Sequence, residues 1–445
     1  MADTLDVPVK YHLVTLGCAK NTVDSMRLEA ALRAGRHIAV AEPGDADLLM
    51  VNTCGFIDAA KDESISVVRE LDEARRDGQQ LYVVGCLTQI ASDSVREAVP
   101  GVDAVFGAEQ WDAIAAQVGP ASATFDIPNG GLPLLGQPSA YLKISDGCDR
   151  PCTFCIIPTI KGNMHSGASR TLLAEARMYA AAGAKELVLV AQDSTAYGED
   201  EGERDGLARL FEELSDAVPE VPWLRLMYAY PGRVTPRLAE VMASRPNVVP
   251  YMDMPLQHGS DAMLRRMKRP TLAKARRSIE TIRKTMPNAV LRTTFIVGFP
   301  GETDAEFDEL LDFVEEQHFD HIGAFTYSPQ PGTPAAEMTR QVPDAVKEER
   351  YGALMELAQG ISQESNRAMV GHEVDILVES KEPTTSATGE PIVVGRTYRD
   401  APEVDGMAFL KGTFPMGTMV RARVDGALPY DLLCTPVDAS VPASN

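Results

Sequence analysis

Between residues 141 and 328, six short apolar runs alternate with amphipathic stretches, and that alternation admits few folds. The runs are 141–145, 186–191, 223–230, 248–254, 291–297 and 321–327. The stretches between them include helices expected at 170–182, 207–217, 272–286 and 303–317. Continuously apolar strands need cover on both faces, which parallel strands obtain from the helices that connect them. Six such units predict an open or partial (β/α)6 barrel, two short of the complete eightfold form. In barrels of this kind the chemistry sits at the carboxyl ends of the strands.

The preceding segment has a similar layout. Tyr11-His-Leu-Val-Thr-Leu-Gly-Cys18, Asp47-Leu-Leu-Met-Val-Asn-Thr-Cys54-Gly55 and Leu81-Tyr-Val-Val-Gly-Cys86 are apolar runs, with helical stretches at 25–34 and 61–76 between them. Residues 9–118 are therefore expected to form an N-terminal parallel α/β domain. Residues 119–138, rich in Gly, Pro, Ala and Ser, read as a linker. The barrel then spans 139–370 and ends in a long helix at 344–370. From 371 to 437, short strands at 374–379, 392–398, 407–411, 419–424 and 432–437 suggest a small antiparallel β-barrel.

Cys148, Cys152 and Cys155 crowd the loop after the first barrel strand. Three thiolates at this spacing can hold three corners of a cubic iron–sulfur cluster, which ordinarily takes four ligands. A missing fourth ligand leaves one iron open. A zinc site would need a fourth Cys or His nearby, and only His165 and the distant Cys434 offer one. Cys18, Cys54 and Cys86 all fall at strand ends of one sheet, each beside a glycine. A lone free cysteine is usually a small buried hydrophobe, but three at equivalent ends can converge on a second cluster. Cys434 reads as structural.

Polar groups at the other strand ends are candidates to hold ligands. They are Gln192, Asp193 and Ser194, then Gln257 and His258, then Gly298, Gly301 and Glu302, and finally Tyr327 and Ser328. The two glycines would let backbone approach a ligand closely. Singly, each is more often a turn or a satisfied polar group. No catalytic side chain is assigned beyond the cluster ligands.

Composition narrows the partners. The net charge of −22 opposes bulk binding to nucleic acid, which depends on Lys and Arg, and favours a basic partner. From His372 onward there are eleven acidic and six basic residues, a poor phosphate-binding surface. No apolar run approaches the ~18–20 residues a membrane span requires. The acidic start lacks a signal-peptide layout, and seven cysteines suit reduced thiols, so a cytoplasmic location is expected.

The 148/152/155 spacing resembles that of the radical S-adenosylmethionine (SAM) superfamily, whose members are partial β/α barrels. The resemblance implies a [4Fe-4S] cluster that chelates SAM at its open iron and yields a 5′-deoxyadenosyl radical. It also implies that Phe154 shields the cluster, and that Gln192 and Asp193 lie in the segment meeting the SAM amino group.

Across nearly the whole chain the sequence is similar to the methylthiotransferase family. The similarity is carried by Thr15-Leu-Gly-Cys-Ala-Lys-Asn-Thr-Val-Asp-Ser25, Cys152-Thr-Phe-Cys-Ile-Ile-Pro158, Pro255-Leu-Gln-His258 and Arg292-Thr-Thr-Phe-Ile-Val-Gly-Phe-Pro-Gly-Glu302. It implies a TRAM-like terminal barrel and an auxiliary [4Fe-4S] cluster on Cys18, Cys54 and Cys86 that carries the sulfur to be inserted. SAM would serve twice, as methyl donor and as radical source. A low-potential electron donor and a sulfur donor would be needed.

One branch of the family modifies an anticodon-adjacent adenosine of transfer RNA. The other, the RimO-type branch, modifies an aspartate of small-subunit ribosomal protein S twelve, alone or in the assembled subunit. Ala191-Gln-Asp-Ser-Thr-Ala-Tyr-Gly198 and Gly395-Arg-Thr-Tyr-Arg-Asp-Ala-Pro-Glu-Val-Asp-Gly406 resemble the second. The acidic run from Asp400 to Asp405 would then point toward a basic protein substrate. Met26 and Lys161 depart from the usual pattern, which has an acidic residue and Arg there. A non-catalytic iron–sulfur electron carrier or cluster-assembly scaffold is the alternative of another class, but a carrier would have no use for a full barrel with polar strand ends.

Overall fold

The computed structural model describes residues 8–118, 137–386 and 389–437. All but the last two residues of the expected linker lie outside them.

Strands Lys10–Thr15, Leu48–Thr53 and Gln80–Gly85 run parallel, flanked by the two-residue edge strands Ile38–Ala39 and Ala104–Val105. In space, Ile38–Ala39 comes first, then Lys10–Thr15, Leu48–Thr53, Gln80–Gly85 and Ala104–Val105, so the winding direction reverses between the first two long strands. Leu28, Leu32, Trp111 and Ile114 cover one face against Leu48, Met50 and Tyr82. Val68, Leu87 and Val95 cover the other against Leu49, Val51 and Val83. Helices Ala19–Ala34 and Trp111–Val118 thus oppose Asp58–Ala74 and Cys86–Ala98 across the sheet.

The central sheet holds six parallel strands in simple sequence order: Ser139–Lys143, Glu186–Val190, Trp223–Leu226, Val248–Asp253, Val290–Val297 and His321–Thr326. Successive neighbours of one hand make the open six-unit barrel expected from the apolar runs. The outer face packs on helices through Leu187, Leu189, Leu224, Met252 and Leu291. A helix not singled out in the sequence, Pro236–Ser244, joins the third and fourth strands. Its start follows capping rules: Thr235 accepts a bond from the Leu238 amide at 3.1 Å, and proline occupies the first turn.

The C-terminal strands Glu373–Val378, Met419–Ala427, Leu432–Pro436, Ala408–Lys411 and Pro391–Arg396 close on themselves through a pairing between the first and last of this order. All pairs are antiparallel except Ala408–Lys411 with Leu432–Pro436, which is parallel. The strand Met419–Ala427 lies between these two in sequence and runs the opposite way, so the chain re-enters beside Ala408–Lys411 in the same direction. Val374, Ile376, Leu410, Val424 and Cys434 fill the interior, so Cys434 is a core side chain.

This small barrel seals the inner face of the β/α sheet. Leu377, Tyr398, Ala401 and Met419 pack with Val188, Val190, Val249 and Tyr251. Four arginines cross the seam. Arg396 reaches Glu186, Arg225 holds the same carboxylate and donates to the Tyr398 carbonyl, Arg292 joins Asp253 to Asp405, and Arg399 meets Asp320. Asp400 lies buried beside His321, 3.7 Å away. Within the acidic run from Asp400 to Asp405, both aspartate side chains are therefore spent inside the seam rather than on the surface, and only Glu403 and Val404 are exposed. Arg292 balances the Asp405 charge, as a buried carboxylate requires, whereas burial pushes the Asp400 carboxyl up. Among the described residues no helix is long and apolar enough to cross a membrane.

Candidate functional site

The loop bearing Cys148, Cys152 and Cys155 leaves the first barrel strand and is closed at its base by a short antiparallel ladder, Ser145 with Ser166 and Asp146 with His165. Gly147 turns the chain with φ +75°, and a Cβ there would stand 2.1 Å from the Asn163 carbonyl oxygen, so only glycine fits. The Cys148 amide donates to the Gly162 carbonyl at 3.1 Å. Thr153 ties the loop to the far side of the barrel: its amide donates to the Met267 carbonyl and its hydroxyl to that of Arg266.

The thiols are supplied with donors. Amides of Arg150 and Ile157 point at Cys148 and Cys155, and the Arg269 guanidinium lies 3.6 Å from the Cys152 sulfur. Burial nevertheless pushes both the Cys148 and Cys155 thiols up, the latter to about 12. Left alone they stay protonated, whereas a bound metal would deprotonate them outright. The donors then serve the resulting thiolates.

Cys18 is the exposed cap of helix Ala19–Ala34, while Cys54 and Cys86 are buried at the ends of the next two long strands. The neighbouring glycines have a steric reason. A Cβ on Gly17 would stand 2.8 Å from Cys54 Cβ, and one on Gly55 would stand 2.7 Å from Leu87 Cα. The strand-end loops approach this closely only without side chains there. Asn21 laces them together, its amide donating to the carbonyls of Leu16 at 2.9 Å and Thr53 at 3.1 Å. Its carbonyl oxygen lies 3.4 Å from the Cys86 sulfur.

Burial raises the Cys54 thiol, and raises that of Cys86 to about 12, with charge on Cys18 adding to the effect in both cases and charge on Cys54 in the second. Cys18 and Cys54 flank the point where the strand order reverses, the usual ligand crevice of open α/β sheets. Among the described residues no three His, Cys, Asp or Glu gather tightly enough for a single metal ion. A cubic cluster takes each thiolate on a different iron and asks for a wider triangle.

One apolar contact joins the segments that carry the two trios. Cys86 packs with Ile156 and Ile160, the first of which directly follows Cys155. Beside this contact the Lys143 ammonium lies 2.6 Å from Asp24 and 2.7 Å from Asp146. Lys161 lies 2.8 Å from Asp24 and 3.6 Å from Asp146.

The polar strand ends sort into two groups. Gln192 donates its amide to Asp146 at 2.8 Å, and its oxygen is buried without a partner. Ser145 Oγ, Ser260 Oγ, Tyr327 OH and Arg269 Nε are likewise buried and unpartnered. Buried polar atoms are rarely left so, and these lie at, or on the segments leaving, the carboxyl ends of barrel strands, which fits a polar ligand held there. Phe154 packs nearby with Met263, Met267, Phe299 and Tyr327.

The other candidates have partners within the chain. Asp193 is engaged by Arg150 at 2.6 Å and caps Thr195. His258 accepts from the Ser260 amide at Nδ1, so its Nε2 carries the proton toward Glu302, 2.8 Å away, and Arg350 holds the same carboxylate. Gln257 adopts φ +79° and spends its backbone on a bridge to Phe295. The Gly298 amide donates to Glu302, and a Cβ there would strike Lys347, while the Gly301 amide donates to the Arg340 carbonyl. Ser328 bonds Asp58, the first residue of the N-terminal helix Asp58–Ala74, at 2.8 Å.

Sequence reasoning missed Arg150, Arg269 and Tyr230. Both guanidiniums lie over the Tyr230 ring, 4.9 and 4.2 Å from its centre, beside the cysteine loop. Nothing in their spacing marks them, because they meet only in space.

Residues 10–107 match the uncharacterized protein family UPF0004, residues 142–314 the radical SAM superfamily, and residues 370–437 the TRAM domain. The fold is similar to that of the radical SAM methyltransferase TsrM from Kitasatospora setae, with a TM-score of 0.55 at 15% identity, covering 74% of this chain and 77% of that one. A ribosomal protein uS12 methylthiotransferase RimO from Chloroflexus aurantiacus is 45% identical over 95% of this chain and 99% of its own length. The protein of the same description from Moorella thermoacetica is 42% identical over 94% of this chain and 96% of its own. With this identity sustained across all three sheets, the chain belongs to the RimO family of radical SAM methylthiotransferases.

Proposed function

We propose that this chain inserts a methylthio group at the β-carbon of an aspartate in ribosomal protein S twelve. By balance the substrate exchanges one C–H for C–S–CH3. The hydrogen leaves in 5′-deoxyadenosine, the methyl comes from a second SAM, and a sulfur source and a low-potential electron donor are supplied from outside. Bound at these cysteines, two [4Fe-4S] clusters and SAM would supply the one-electron and sulfur chemistry, as such cofactors do.

The chain's own residues hold and shield these groups. Cys148, Cys152 and Cys155 are the ligands of the radical cluster, and Cys18, Cys54 and Cys86 those of the auxiliary one. Phe154 with its Met263–Phe299–Tyr327 neighbours excludes water from the first cluster. Gln192, with its open oxygen, orients SAM.

The single observation that carries this reading is the Cys86–Ile156–Ile160 contact, which joins the strand end bearing Cys86 to the segment after Cys155 and so supports one substrate meeting both sites. The acidic balance and the uS12 methylthiotransferase relatives favour a basic protein over transfer RNA.

The test supplies reconstituted enzyme, SAM and reductant with either small ribosomal subunits or transfer RNA, and reads mass. A methylthio gain on the ribosomal protein is expected, and a gain on RNA alone overturns the assignment. Cys54→Ala is expected to spare 5′-deoxyadenosine formation and abolish the mass gain.

A further inference from the structure

Four buried charged side chains occupy the boundary between the two cysteine trios. Asp24 lies on the helix that begins after Cys18. Lys143 ends the first barrel strand, Asp146 precedes Cys148 by two residues, and Lys161 ends the short helix Ile157–Lys161 that follows Cys155. The side chains are between 2% and 5% exposed, so solvent screens them little. Two cations meet two anions, with the half-exposed Glu109 at the rim 3.7 Å from Lys161. Asp146 extends the set through its other oxygen to Gln192. The helix carrying Lys161 packs Ile160 directly on Cys86.

We infer that Lys161 is a positioning residue for the auxiliary site, fixing the Cys86 strand end against the radical-cluster loop and setting the reduction potential of the cluster held by Cys18, Cys54 and Cys86. This deepens the proposed function and rests on its two-cluster reading. The physical reason is direct. A fixed charge in a low-dielectric boundary acts strongly on a nearby redox centre, and hydrogen bonds, net charge and burial are what set cluster potentials. Lys143 and Lys161 each touch both Asp24, on the auxiliary side, and Asp146, on the radical side, and of the two it is Lys161 that lies on the helix whose Ile160 packs with Cys86. Its ammonium favours the reduced, more negative cluster, and Asp24 opposes it.

The experiment uses the full chain carrying Cys152→Ala, so that only the auxiliary cluster is loaded, and follows an electron paramagnetic resonance redox titration. Lys161→Met is expected to move the midpoint to more negative potential, Asp24→Asn to more positive potential, and Lys161→Arg to restore it. Shifts of opposite sign mark charge rather than general disruption, which would move both variants the same way. Equal or same-sign shifts overturn the inference. Failure of the Cys152→Ala chain to hold any cluster instead refutes the two-cluster reading and takes this inference with it.

Discussion

The Tyr251 hydroxyl donates to the Asp405 carboxylate at 2.5 Å across the seam between the β/α sheet and the small barrel. Arg292 reaches the other oxygen at 3.1 Å, and the aspartate side chain is 2% exposed. Asp405→Ala leaves a phenol unsatisfied and one of Arg292's two carboxylates missing. Breaking a buried pair from one side costs about 3–5 kcal/mol, whereas Tyr251→Phe removes one hydrogen bond and costs about 1–3 kcal/mol, because the carboxylate keeps Arg292. Denaturant unfolding measures both. An Asp405→Ala loss below about 0.5 kcal/mol would show that this segment does not seal the barrel.

The same seam sets an acid limit. Burial works against the charge of Glu186, but Arg396 and Arg225 outweigh it and hold its carboxyl down at about 2. The folded value lies below the unfolded one, so protons bind the unfolded chain more readily. The stabilisation is complete above about pH 4.5, the ordinary glutamate value, and is lost as pH falls toward 2. Glu186→Gln should therefore lower stability at neutral pH and flatten its pH dependence between these values. A slope unchanged by the substitution would mean that Glu186 does not carry this share.

Much of this architecture is legible in the sequence because burial on both faces writes itself as apolar runs, and the six barrel strands and three long N-terminal strands all carry that mark. The edge strands Ile38–Ala39 and Ala104–Val105 are too short to show a period. The cysteines stand out by residue type. The ion network does not, because Asp24 and Lys161 are 137 positions apart and a charged residue in a sequence reads as solvent-facing. For that reason Asp400 and Asp405 suggest a docking surface until the fold shows them buried.

Neighbours in sequence, Gln192 and Asp193 should separate cleanly in experiment. Gln192 has a buried oxygen awaiting a donor, so Gln192→Ala should weaken SAM binding by about 0.5–1.5 kcal/mol, up to roughly tenfold in Kd, with little change in melting temperature. Asp193 is already filled by Arg150 and Thr195, so Asp193→Ala should cost about 1–3 kcal/mol of stability instead. Calorimetric titration with SAM and thermal unfolding distinguish them. Equal losses of affinity at full stability would assign both residues to the ligand.

Gly147 offers the sharpest test of how the radical loop is built. Its φ of +75° costs a non-glycine residue about 1–2 kcal/mol. The added methyl would also press on the Asn163 carbonyl, which is backbone and cannot rotate away. Relief requires moving either the turn into Cys148 or the strand His165–Ser166 that closes the loop. Cys18, Cys54 and Cys86 lie on other loops, at the ends of the N-terminal strands. Gly147→Ala should therefore lose the iron bound through Cys148, Cys152 and Cys155, and with it 5′-deoxyadenosine formation, while the iron bound through Cys18, Cys54 and Cys86 remains. Iron analysis beside Cys152→Ala, which should give the same content, checks this. Full iron content in Gly147→Ala would show that the loop holds its cluster without the left-handed turn.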